Sequence, residues 1–127
     1  RDWLYVDDHC KALDKVLHAP IDKIKGEVIN LGTARSISVL DIAQKIKQMM
    51  NSSSPIVFVG DRPGQVFRHT SSTRKALELL DWKAETSFED GLARTIRWYQ
   101  ENERWWNKSL WLRQVPIRTA AGKVEMH

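Results

Sequence analysis

The sequence predicts an α/β domain, and three features carry that reading. Short apolar runs of strand length alternate with longer stretches in which apolar residues recur at helical spacing. Glycines, prolines and capping residues punctuate these runs. The chain has 127 residues, 42% hydrophobic and 28% charged, which suits one ordinary domain with a single core. The resulting order is strand, helix, strand, helix, strand, loop, helix, helix. That amounts to three or more short strands with about four helices.

Arg1–Val6 (RDWLYV) alternates, with Trp3 and Tyr5 on one side and Leu4 and Val6 on the other, and its aromatic content predicts a short strand. Asp7 or Asp8 then caps a helix that runs to about Ala19. Its apolar stripe is Cys10, Leu13, Val16 and Leu17, and Pro20 follows its end. The run GEVINLG, Gly26–Gly32, predicts a second strand bounded by glycines, with Asn30 inside it. A buried amide needs partners, so Asn30 either satisfies nearby backbone or reads a ligand edge.

Ser38 with Asp41 resembles a capping box and opens the next helix, whose stripe is Val39, Ile42, Ala43, Ile46, Met49 and Met50. Pro55 prevents that helix from resuming, and Ile56–Val59 predicts the third strand. Ser71 or Ser72 caps a short helix near Thr73–Leu80. Thr86 or Ser87 caps the last and longest one, in which Phe88, Leu92, Thr95, Ile96 and Tyr99 share a face. Gly91 inside that helix costs about 1 kcal/mol against Ala and permits a close crossing. The helix is expected to fray near Asn102–Trp106. Residues Lys108–His127 are open to three forms: a docked arm, a hairpin around Gly122, or disorder.

The single cysteine, Cys10, excludes an internal disulfide and a four-cysteine zinc site. His9 shares no metal-ligand spacing with a second His, Cys or carboxylate, so no metal is expected. No apolar run reaches 18 residues and no signal-peptide layout is present, which reads as a cytoplasmic chain with no membrane partner. Net charge is +4, but Lys108, Arg113, Arg118 and Lys123 against Glu125 place +3 of it beyond Asn107. The basic character is largely a property of the tail, and no nucleic-acid partner is expected from it. The chain starts at Arg1, without Met, within a strand-like run, which reads as a fragment or a numbering that dropped its beginning.

The stretch with the most chemistry is VFVGDRPGQVFR, Val57–Arg68. A strand breaks into a turn carrying Asp61, Arg62 and the pair Pro63–Gly64, and Arg68 follows. Proline fixes φ there, and glycine permits backbone geometry that a Cβ would forbid. Such a turn aims a guanidinium from the end of a strand at an anion, and the planar Arg fork suits phosphate better than a Lys point charge does. The competing reading is a solvated turn with a surface Arg–Asp pair.

Taken together, RDWLYVDDHCKAL, GEVINLGTARSISVLDIAQKI, VGDRPGQVFRHTSSTRKALELLDW and SFEDGLARTIRWYQEN resemble, in order and interval, the C-terminal part of NAD-dependent nucleotide-sugar epimerases and dehydratases. These are the extended short-chain dehydrogenase/reductases. RDWLYV, DRPG and the WY…WW ending look most like the dTDP-glucose 4,6-dehydratases, and UDP-galactose 4-epimerases are similar over the same segments. The resemblance covers about residues 1–106 and leaves 107–127 as a basic, Trp-containing tail. It implies the substrate-binding portion of such an enzyme, with the Rossmann cofactor domain absent.

The resemblance also assigns roles. By motif position Arg1 and Arg62 grip the nucleotide diphosphate, and Asn30 lies near the nucleotide pocket. Gln65 falls where relatives carry a ribose contact. Beside these residues, Arg68 of the loop is a third candidate phosphate contact. Ile29 stands where the family usually has Tyr, Val66–Phe67 where it has Asp-Arg, and His69 where it has Tyr, so the loop is less charged than the family pattern. The family's chemistry further requires a glycine-rich dinucleotide loop and a Tyr-x-x-x-Lys pair. The only tyrosines are Tyr5 and Tyr99, with His9 and Glu103 four residues on, and there is no G-x-x-G-x-x-G. The expectation is a chain that holds a nucleotide sugar, has no catalytic residue of its own and binds no cofactor, NAD belonging to the parent family. Apolar surface that a Rossmann domain would cover predicts a homo-oligomer. The alternative is a stand-alone oligomeric interaction module that kept the fold and lost the ligand.

Overall fold

The computed structural model describes residues 1–58, 60, 64–113, 116–118 and 122–126. Its helices are α1 (Val6–His18), α2 (Ile21–Ile24), α3 (Val39–Met49), α4 (Arg74–Leu80), α5 (Phe88–Glu101) and α6 (Glu103–Trp106). A 3₁₀ segment at Asn107–Arg113 follows, and then strands β1 (Pro116–Arg118) and β2 (Val124–Met126). The chain divides into two compact units, 1–94 and 95–127.

The four longer helices form where the apolar spacing predicts them, but their ends differ from expectation in instructive ways. Ser38 caps α3 as a box: its Oγ accepts from the Asp41 N–H and donates to the Asp41 carboxylate. Ser87 does the same for α5 through Asp90. Neither Asp7 nor Asp8 caps α1. That helix starts one residue before them, with Tyr5 at its N-cap and both acids in its first turn, where they favour the helix dipole. Thr73, not Ser71 or Ser72, stands at the N-cap of α4, with no side-chain cap.

The three predicted strands are corrected. Arg1–Tyr5, the Gly26–Gly32 run and the described residues of Ile56–Val59 lie outside any helix, and none has a ladder among the described residues of the first unit. A strand exists only with a partner for its N–H and C=O groups, whereas a helix satisfies its own. One reciprocal pair forms: the Arg1 ammonium donates to Ile37 O (3.0 Å) and the Ile37 N–H to Arg1 O (2.9 Å).

The core of this unit lies between α1 and α4. Ala12, Ala76, Leu80 and Trp82 are buried there, with Leu4, Val16, Ile24, Ile29, Leu31 and Leu79 packed around them. Two alanines facing each other let the helices approach closely. The expected α1 stripe is therefore displaced: Asp8, Ala12 and Val16 face inward, while Cys10, Leu13 and Leu17 are exposed. The Trp82 Nε1–H donates to Asp8 O (3.2 Å), and Lys15 Nζ donates to Leu80 O (3.1 Å) and Asp81 O (2.7 Å), covering the carbonyl end of α4.

Asp8 is 1% exposed. Its Oδ2 accepts from the N–H groups of Glu85 (3.0 Å) and Thr86 (2.7 Å), so it fixes the approach to α5 from the first turn of α1. Gly91 in α5 is buried against the Tyr5 ring, where an added Cβ would stand 3.2 Å from Tyr5 atoms. The close crossing that this glycine permits is with an aromatic ring. The Arg94 guanidinium caps the ring at 5.6 Å from its centroid.

In the second unit Trp98 makes edge-on contacts with Tyr99 and Trp105, and Trp106 Nε1 donates to Tyr99 O (2.8 Å). Of the three forms open to the tail, the chain takes the hairpin. β1 and β2 pair antiparallel, Pro116 with Met126 and Arg118 with Val124, and Gly122 between them adopts φ +77°.

Candidate nucleotide-diphosphate groove

The groove forms where three segments without regular structure meet the start of α3. It has a volume of about 460 Å³ and is lined by Arg1, Ser36, Ser38, Val39, Asp41, Gln65, Val66, Phe67 and Arg68. Three of the five residues singled out from the sequence, Arg1, Gln65 and Arg68, are thus brought together although 64 positions separate the first two. The Arg1 Nη1 donates to Phe67 O at 3.5 Å, a long contact that spans the groove. Gly64 adopts φ +75°, the left-handed geometry expected where the turn re-enters the chain.

The other two residues fare differently. Asn30 is exposed and does not line the groove. Arg62 lies outside the described residues, as do Asp61 and Pro63.

Two guanidinium groups and the amino end of α3 favour an anion here, and the Asp41 carboxylate opposes one. Asp41 is partly spent on its own helix, accepting from Ser38 Oγ at 2.7 Å. Two planar guanidinium forks lining one groove suit a diphosphate, whose charge is spread over two groups.

What sequence reasoning missed is the residue that holds these walls together. The Asp2 carboxylate accepts four hydrogen bonds: from Thr33 N–H (2.8 Å) and Thr33 Oγ1 (2.6 Å) at Oδ1, and from Ala34 N–H and Ser71 N–H (both 3.1 Å) at Oδ2. Burial pushes the Asp2 carboxyl up, but Thr33 Oγ1 and the three backbone N–H groups together hold it below its ordinary value. Gly32 makes this approach possible, since a Cβ there would stand 2.7 Å from Asp2 Oδ2 and 2.9 Å from Ser71 Cβ. The available signal was a carboxylate at the head of an aromatic run, which requires a partner when the run packs.

No tyrosine offers a dehydrogenase pair. Tyr5 packs on Gly91 and Arg94, and Tyr99 stacks among tryptophans. The sequence of residues 1–127 contains no glycine-rich dinucleotide loop either. Among the described residues no cluster of three or more His, Cys, Asp or Glu could hold a metal ion, and no helix is long and apolar enough to cross a membrane.

A family model described as GDP-mannose 4,6 dehydratase matches residues 1–95. The chain belongs to the NAD-dependent nucleotide-sugar epimerases and dehydratases. A probable dTDP-glucose 4,6-dehydratase of Sinorhizobium fredii is 36% identical over 114 residues, covering 84% of this chain and 32% of that protein. Among solved structures, the dTDP-glucose 4,6-dehydratase of Bacillus anthracis in complex with NAD superposes with a TM-score of 0.70 at 34% identity, over 85% of this chain and 33% of that one. The UDP-glucose 4-epimerase of Thermotoga maritima, solved with UDP-glucose, superposes with a TM-score of 0.73 at 28% identity, over 81% and 32%. The chain spans about a third of the length of the relatives it matches.

Proposed function

We propose that this chain supplies the nucleotide-diphosphate grip of a nucleotide-sugar dehydratase or epimerase, with no catalytic group of its own. The observation that carries the reading is the meeting of Arg1, Gln65 and Arg68 on one groove beside the capped start of α3. Arg1 and Arg68 take the phosphates, and Gln65 hydrogen-bonds a ribose hydroxyl. Arg62 joins them as a further phosphate contact, and Asn30 is a nucleotide contact that this groove does not require. The nucleotide is a dTDP- or UDP-sugar, in keeping with relatives named for dTDP-glucose and UDP-glucose. The hydride chemistry, the base and the NAD site of this reading lie outside residues 1–127.

Calorimetric titration with dTDP and UDP, with NAD as control, tests this directly. The expected result is binding of both diphosphates and none of NAD. Arg68→Ala and Arg62→Ala should each lower affinity roughly tenfold, the scale of one charge-assisted hydrogen bond. Wild-type chain that binds neither diphosphate overturns the reading.

One observation favours the rival interaction module. Phe67 is 98% exposed and Phe58 80% exposed, and Val57 and Val66 beside them are exposed as well. Apolar surface of this kind marks a contact face, and a second copy of the chain would cover it in a homo-oligomer. Light scattering of wild type against Phe58→Ser/Phe67→Ser decides this. A mass that falls to the monomer in the variant supports self-association through this face. A monomeric wild type at high concentration refutes it.

A further inference from the structure

We propose that Asp2 is the positioning residue of the groove: by binding Thr33, Ala34 and Ser71 together it sets Arg1 opposite Arg68 for a nucleotide diphosphate. The inference rests on the diphosphate reading above and deepens it. Each wall of the groove is reached from Asp2 by a short piece of backbone. Arg1 is its neighbour in the chain, Ser36 stands two residues beyond Ala34, and Arg68 stands three residues before Ser71. Ser71 and Asp2 are 69 positions apart in sequence, so their hydrogen bond closes the loop that carries Gln65 and Arg68 back onto the first residues of the chain.

The chemistry of the node explains why a carboxylate is required. Both oxygens receive two donors, so all four contacts point inward to a single acceptor group. An amide of the same shape would turn an NH₂ toward at least one backbone N–H in either orientation. Since the charge of Asp2 is directed at Thr33 and backbone N–H groups, the Arg1 guanidinium is not drawn into an ion pair with its neighbour. It reaches Phe67 O across the groove instead. Gly32 is part of the device, because any Cβ would push the carboxylate out of place. The hydrogen bonds of Asp2 go to Thr33, Ala34 and Ser71, and those of Asp8 to Glu85 and Thr86, so the two carboxylates share no partner.

A double-mutant cycle on the full chain separates positioning from general stability. Asp2→Asn, Arg1→Ala and the pair are titrated with UDP, with thermal unfolding followed for each. Asp2→Asn should weaken UDP binding roughly tenfold in the wild-type background. In the Arg1→Ala background it should cost clearly less than tenfold, because one of the two guanidinium groups it holds in place is gone. The melting temperature should fall by a similar amount in both backgrounds. Thr33→Val removes one of the four donors and repeats the cycle in milder form, which keeps the test intact where Asp2→Asn does not fold. Losses that multiply across the two backgrounds, or Asp2→Asn binding like wild type, overturn the positioning role while the diphosphate reading stands. Wild-type chain that binds neither UDP nor dTDP overturns both.

Discussion

The first unit is built on opposite terms at its two ends. Around Trp82 the chain is closed: the indole is 3% exposed, its N–H is bonded to Asp8 O, and two alanines bring α1 and α4 together. Along the described part of 56–68 it is open, with Phe58 and Phe67 among its most exposed apolar side chains. The closed end consists of helices, which bond their own backbone and need only one apolar face covered. The open end consists of strand-like sequence, which needs a neighbour for both backbone and side chains. Helical elements of an α/β sequence persist on local terms, while its strands depend on a sheet.

The sharpest way to break this comparison is to cut at both ends. Trp82→Ala removes a buried aromatic and its hydrogen bond to Asp8 O, and should cost about 3–5 kcal/mol in urea unfolding. Phe67→Ser removes a ring with little burial to lose, and should stay within about 0.5 kcal/mol of wild type. Similar losses at the two positions would show that the open end packs in solution.

Asp8 sharpens the closed end through pH. Burial pushes its carboxyl up, but the Thr86 and Glu85 N–H groups, the Thr86 hydroxyl and nearby Lys11 outweigh that and hold it below its ordinary value of 3.8. A carboxyl lowered by folding stabilises fully above its unfolded value, and that share is lost as pH falls through the folded one. Stability should therefore be level near neutrality and begin to fall below about pH 4. Asp8→Ala, which strands two N–H groups, should cost roughly 2 kcal/mol at pH 7 and make this acid loss shallower. Asp8→Asn keeps an acceptor toward those groups and should cost about half as much. Urea midpoints at pH 7 and pH 3 for the three proteins check both. An acid slope in Asp8→Ala equal to wild type would assign the acid sensitivity elsewhere, Asp2 being next in line with its own lowered carboxyl.

How far the sequence could be read follows the same division. The box at Ser38–Asp41 was legible, and Ser87 was one of two candidate caps for α5, because a cap is a contact three residues long. Gly122 marked a hairpin as one of the three forms open to the tail, and the chain takes it. The inward face of α1 was not legible. Cys10, Leu13 and Leu17 fit the helical period better than Ala12 does, and the choice among faces belongs to the partner helix. In the candidate groove, Arg1 and Gln65 were singled out through family motifs, which encode distant contacts as local spelling, and Arg68 through the loop that carries it. Asp2 was not found, because its partners at 33, 34 and 71 are known only once the chain has folded.

A modest stabilisation is expected at the turn that carries Ala34. Ala34 adopts φ +58°, a left-handed conformation that costs an L-residue about 1–2 kcal/mol, and it donates its N–H to Asp2 from that position. Asn51 at φ +49° carries a side chain suited to such geometry, and Ala34 does not. Ala34→Gly removes the strain and gives back part of the gain through the freer unfolded chain, so a net stabilisation of about 0.5–1 kcal/mol is expected. Ala34→Val, β-branched, should destabilise by more than the glycine stabilises. If the Asp2 node is what holds the backbone in this conformation, Asp2→Asn should abolish the benefit of glycine, since a released segment relaxes with either residue. A full glycine benefit in the Asp2→Asn background would mean that the turn at 32–36 sets its own geometry, and that Asp2 follows the segment it was taken to fix.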